Sequence, residues 1–129
     1  MIIKDSMGKY TIEIDKSGKI VKETPIGLWK KEDVERFHKD YETKVMPQLR
    51  AVKSWAVISD LREYKTSNVV EELSNHVMWK IGKGLQSAAI IVASAITKMQ
   101  MKRTGGTAME PMPFTSEKEA RDWLKDQGF

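Results

Sequence analysis

Cysteine is absent from the 129 residues. Disulfide frameworks, thiol nucleophiles, iron–sulfur ligation and cysteine-held zinc are thereby excluded together, and the chain suits a reducing cytoplasm. Only four prolines and eight glycines occur, too few for a fibrous or low-complexity chain. Long hydrophobic runs are missing as well. The longest, Leu85 to Thr97, contains Gln, Ser and several Ala and falls short of the roughly 20 residues a membrane span needs, so no transmembrane segment is expected. Met1 to Lys9 includes an Asp and no apolar stretch, which does not read as a signal peptide. Acid is lacking over a long internal stretch: residues 73 to 109 hold none, but carry Lys80, Lys83, Lys98, Lys102 and Arg103. The rest of the chain sets 17 basic residues against 18 acidic ones. The net charge of +4 is too mild to imply a nucleic-acid partner.

What is present is the balance of a globular chain, 40% apolar and 31% charged, of a length that predicts one domain over residues 1–129. Tyr10-Thr11-Ile12-Glu13-Ile14 alternates at period two, and Ile20-Val21 follows the turn signal Asp15-Lys16-Ser17-Gly18, which predicts a β-hairpin. Val34, Phe37, Tyr41 and Val45 then recur at helical spacing, with Glu35 and Lys39 placed for an i,i+4 pair. This helix should run from about Lys31 to Met46, where Pro47 disfavours continuation. Trp55-Ala56-Val57-Ile58 and Ala88 to Ala93 are continuous apolar runs, as expected for central strands covered on both faces.

Between those strands, Asn68 and Glu71 have the spacing of a capping box, and Val70, Leu73, Val77 and Ile81 form the stripe of a second helix ending at Gly82. Ala95 to Lys102 predicts a shorter helix stopped by Gly105-Gly106. Met109 to Phe114, with two prolines, can pair only as an edge strand. Ser116 and Glu119 form another capping box, and Ala120, Trp123 and Leu124 the buried face of a C-terminal helix. The expected fold is α/β: a mixed sheet of four to five strands with a parallel middle, an N-terminal β-hairpin, covering helices and a C-terminal helix.

Several segments resemble the SpoIIAA-like proteins of the STAS superfamily. They are the hairpin, Gly27-Leu28-Trp29-Lys30-Lys31-Glu32-Asp33, the strand end Val57-Ile58-Ser59-Asp60-Leu61, the strand Ala89-Ile90-Ile91-Val92, and the ending from Phe114 through Glu119-Ala120 to Trp123-Leu124. The resemblance implies a SpoIIAA-like (STAS-like) fold and a non-enzymatic interaction or regulatory module, some of whose members are switched by phosphorylation at the start of the helix after the third strand. It also implies a comparison with Sec14-type lipid-binding domains. The family's switch reads Asp-Ser, a small residue, then Gly; this chain has Tyr64-Lys65-Thr66-Ser67-Asn68-Val69, with hydroxyls but neither the acid nor the glycine.

Thr66, Ser67 and Asn68 also suit an ordinary helix cap, and Asp60, Arg62 and Tyr64 follow the end of a central strand, where open α/β sheets place ligands. These six are the candidate switch or ligand residues. Lys98, Met99, Met101, Lys102, Arg103, Met109 and Met112 combine adaptable thioethers with cations and form a candidate interaction surface. His38 and His76 read as helix-face residues on different predicted helices, without Cys and with no histidine–acid ligand spacing, so neither a metal nor a cofactor is expected. Gly82-Lys83-Gly84 lacks the pattern of a phosphate loop, and no nucleophile elbow occurs. The expected partner is another protein or a second copy of the chain in a homodimer. The alternative is a small apolar ligand or lipid held between sheet and helices.

Overall fold

The structure is a computed structural model that describes residues 1–49, 51–65, 68–93 and 111–129. Its elements are β1 (Ile2–Lys4), β2 (Tyr10–Ile14), β3 (Ile20–Pro25), β4 (Gly27–Leu28), α1 (Lys31–Asp40), β5 (Trp55–Asp60), β6 (Tyr64–Lys65), α2 (Val70–Gly82), β7 (Leu85–Ile91), β8 (Met112–Phe114) and α3 (Glu117–Asp126). The main sheet has the order β1-β2-β3-β5-β7-β8, and β4 pairs with β6 as a separate ribbon. β1–β2 and β2–β3 are antiparallel; β3–β5, β5–β7 and β7–β8 are parallel. The sheet thus has six strands rather than four or five. The additional strand, β1, buries only Ile3, and three residues with one inward side chain are too few to show a period.

The two central strands are direct neighbours, Val57 opposite Ala88 and Ser59 opposite Ile90, and all six residues of β5 are buried. Alternation assigns the faces. Ile3, Tyr10, Ile12, Ile14, Val21, Trp55 and Val57 pack toward α1 and α2 with Val34, Phe37, Val69 and Leu73. Ile20, Ala56, Ile58, Ala89 and Ile91 pack on the opposite face against Ala120 and Leu124 of α3. The register shifts between Trp55 and Ala56, so that Trp55 faces Leu85 but Ala56 faces Ser87. The extra residue, Gln86, is why Leu85 and Ala88, three apart, serve the same face.

α1 does not stop at Met46. After Asp40 it widens into one π-helical turn, Tyr41–Val45, in which the Met46 N–H reaches back to the Tyr41 carbonyl, and it ends in a tight turn, Met46–Leu49, that accommodates Pro47. α2 begins without the expected capping box: its N-cap is Val69, with no side-chain hydrogen bond, and Asn68 is exposed. Its buried face also differs. Leu73, His76 and Lys80 are buried, whereas Val70, Val77 and Ile81 are half-buried, because α2 is turned to bring a cation over the sheet.

Ser116 caps α3, its hydroxyl accepting from the Glu119 N–H at 3.3 Å, but the Glu119 carboxylate takes the Thr115 and Ser116 hydroxyls and not the Ser116 N–H that a full capping box uses. Ala120 and Leu124 are fully buried. Trp123 is only half-buried, leaning on Phe114 at a ring separation of 5.8 Å, and does not anchor the helix alone. β8 is an edge strand, as Pro113 requires. The short helix expected over Ala95 to Lys102 lies outside the described residues. No helix among the described residues is long and apolar enough to cross a membrane.

Candidate functional site

Beneath α2 lies a buried polar network. Alternation in β3 turns Val21 toward the helices and therefore Glu23 as well, an acid at a core position. Three groups converge on it. The Lys80 ammonium lies 2.6 Å from Oε1, the Tyr41 hydroxyl donates to the same oxygen, and the Ser59 hydroxyl donates to Oε2 at 2.9 Å. The Lys80 ammonium also stands 4.5 Å from the centre of the Tyr41 ring and 5.7 Å from that of Phe37. The π-helical turn places Tyr41 in this arrangement. Burial raises the Tyr41 phenol well above its usual value, and the adjoining Glu23 charge adds to the effect, so the hydroxyl remains a donor. Every polar atom faces a counterpart, the condition under which a buried ion pair is tolerated.

One helical turn before Lys80, His76 meets His38 of α1, their Nδ1 atoms 2.8 Å apart. The His76 ring lies 5.0 Å from each of Phe37, Tyr41 and His38 and stacks on Trp79 at 6.0 Å. Burial depresses the His76 pKa well below 6.5, and the charge of Lys80 and the neighbouring His38 act in the same direction. Burial thus favours the neutral form of the ring, which has one nitrogen in the histidine pair and, among the described residues, Nε2 without a hydrogen-bond partner. Above the pair runs an open groove of about 480 Å³ lined by Val34, Glu35, His38, Glu72, Asn75, His76 and Trp79.

The expectation of two unrelated helix-face histidines is corrected here: they touch. The signals were present, since Glu35-x-x-His38 and Glu72-x-x-x-His76 each put an acid and a histidine one turn apart on one helix face. The expected Glu35–Lys39 pair does not form. Among the described residues, neither Glu35 nor Glu72 makes a hydrogen bond or ion pair.

The candidates at the end of β5 are drawn into separate roles. Asp60 is gripped by Arg62 at 2.9 and 2.7 Å and accepts the Arg62 backbone N–H at 3.2 Å. The Arg62 hydrogen bonds hold its carboxyl below the usual value of 3.8 against the opposing effect of burial. Tyr64 is buried beside Trp29, ring centres 6.0 Å apart, and belongs to the aromatic core. Asn68 faces solvent in a polar cleft with Glu71, Ser74 and Asn75. Met112 is 43% exposed on β8. Thr66 and Ser67, and Lys98, Met99, Met101, Lys102, Arg103 and Met109, lie outside the described residues.

No family model matches the sequence, and no curated protein matches it. The structure is similar to the crystal structure of an uncharacterised protein of the DUF3478 family from Shewanella loihica PV-4, described as having a SpoIIAA-like fold. The TM-score is 0.67 at 18% identity, over 95% of this chain and 98% of that one. At that identity the likeness is one of architecture, and the α/β arrangement of β1–β8 and the three helices among the described residues is a SpoIIAA-like fold.

Proposed function

We propose that the chain is a non-enzymatic, STAS-like interaction module that works by contact with another protein or with a second copy of itself. The observation that carries this reading is the filled layer between sheet and helices. Tyr10, Trp29, Phe37, Tyr41 and Trp55 occupy it, none more than 3% exposed, which leaves the space where a lipid chain would lie taken by the protein's own rings. The SpoIIAA-like architecture supports the same reading. The contact surface is assigned to the segment from Lys98 to Met112 on its sequence alone, which combines four methionines with Lys98, Lys102 and Arg103, a composition suited to adaptable apolar contact. The Thr66–Asn68 stretch directly precedes α2 in the sequence, so a phosphate on Thr66 or Ser67 would add charge ahead of the positive end of that helix.

Native mass spectrometry of the freshly purified, untagged chain tests this directly. The expected spectrum contains the protein in multiples of the chain mass with no bound organic molecule. A retained small molecule of lipid size would overturn the reading in favour of an apolar-ligand domain. In sedimentation velocity, Met101→Ser with Lys102→Glu should weaken self-association while leaving stability within about 0.5 kcal/mol, the range of surface changes. Unchanged association would remove that surface from consideration.

A further inference from the structure

We infer that the groove between α1 and α2 is a binding site for a divalent transition-metal ion of the zinc type, with His38 and His76 as its nitrogen ligands and Glu35 and Glu72 as its oxygen ligands. The inference rests on placement. Each helix contributes one acid and one histidine, three residues apart on α1 and four on α2, and all four side chains line one groove. Glutamate–histidine pairs one turn apart on facing helices are a chemically sound way to build a carboxylate–imidazole metal centre, because both donors of each pair project from the same face.

The two imidazoles already converge. Their Nδ1 atoms share one proton at 2.8 Å, whereas two nitrogens bound at about 2.0–2.1 Å to one tetrahedral ion stand about 3.3 Å apart. Replacing the shared proton with an ion therefore asks the pair to open by about half an ångström. The carboxylates are a side-chain rotation away. As the side chains stand, no three His, Asp or Glu donors among the described residues converge on one point. However, Glu35 is exposed, Glu72 is half-exposed, and neither is committed to a partner among the described residues.

Two further observations favour an ion. His76 is 3% exposed, so an ion held at its Nδ1 would sit at the buried end of the groove, where water competes little for it. The nearest cation, Lys80, is held against Glu23 at 2.6 Å, which offsets the repulsion an incoming ion would meet. The donor set, imidazole and carboxylate without thiolate, suits zinc, cobalt or nickel better than calcium or magnesium.

The test uses the full, untagged chain stripped with a chelator and titrated with ZnCl2 under native mass spectrometry and with CoCl2 under visible absorption. One ion per chain is expected, with cobalt bands of a low-coordinate nitrogen–oxygen site. His38→Gln, Glu35→Gln and Glu72→Gln change exposed or half-exposed positions and should fold, as circular dichroism will check. Each should weaken binding by about tenfold or more. Lys39→Gln, outside the groove lining, should leave it unchanged. No uptake by the wild type, or uptake indifferent to His38→Gln, overturns the site. Weakening in His38→Gln alone overturns the assignment of the two carboxylates.

Discussion

Replacing Lys80 with methionine removes the cation from a carboxylate that cannot leave. Glu23 is 8% exposed on an inward position of β3, and without Lys80 it retains only the hydroxyls of Tyr41 and Ser59. Methionine preserves most of the lysine stem, so the cavity left is small and the loss is mainly electrostatic. Breaking one side of a buried pair costs about 3–5 kcal/mol, a large part of the roughly 5–15 kcal/mol that holds a domain together. Glu23→Gln should cost a comparable amount by stranding the ammonium.

The double variant Glu23→Gln with Lys80→Met removes both charges and keeps an acceptor for the two hydroxyls. It should recover much of the loss, because a buried pair replaced as a unit is often close to neutral. Urea unfolding followed by tryptophan fluorescence, with midpoint and slope fitted for all four proteins, reads the cycle. Two results refute the reasoning. A Lys80→Met variant within about 0.5 kcal/mol of wild type would mean that the ammonium reaches water. Additive losses in the double variant would mean that the two groups are not coupled.

Arg36 grips Asp5 through two nitrogens at 2.9 and 3.0 Å and Asp33 at 2.6 Å. Burial pushes both carboxyls up, but the Arg36 contacts and backbone N–H groups outweigh it and leave each below 3.8. The stability they contribute is thus present above the unfolded value and lost as pH falls through the lower folded values. Arg36→Ala should show a deficit in urea midpoint at neutral pH that shrinks below about pH 3; a constant deficit would contradict this. Gly84 has φ +103°, and a Cβ there would stand 2.8 Å from the Lys53 carbonyl oxygen, so Gly84→Ala should cost about 1–3 kcal/mol or more in the same assay. Leu124→Ala, fully buried under α3, should cost about 2–5 kcal/mol, and Trp123→Ala clearly less; the reverse order would show that the tryptophan anchors the helix.

The framework was legible because its signals are local and redundant. The Tyr10–Ile14 alternation, the unbroken runs in β5 and β7, and the Ser116 cap each point to the element they form. The site was not, because its residues break the patterns by which elements are recognised. Glu23 occupies a position that alternation reserves for an apolar side chain, and His76 and Lys80 occupy the face that Val77 and Ile81 claim by hydropathy. Each looks like an error of patterning taken singly. They make sense only as partners 57 residues apart, a relation that no periodicity within one element can express. The histidine pair was hidden similarly, by 38 residues of separation.

The direction in which the sheet is wound has its own consequence. From β3 through β5 to β7 each connection steps one strand in the same sense, so right-handed crossovers lay α1 and α2 side by side on a single face. A doubly wound sheet reverses its sense midway, and its helices part there to open a crevice at the carboxyl edge. Between β3 and β7 no such reversal exists. At the carboxyl end of β5 Asp60 is held by Arg62, and the neighbouring helices α1 and α2 leave a groove along their seam. In this chain that groove is displaced by the thickness of a layer from the strand ends where ligands of an α/β protein are ordinarily sought.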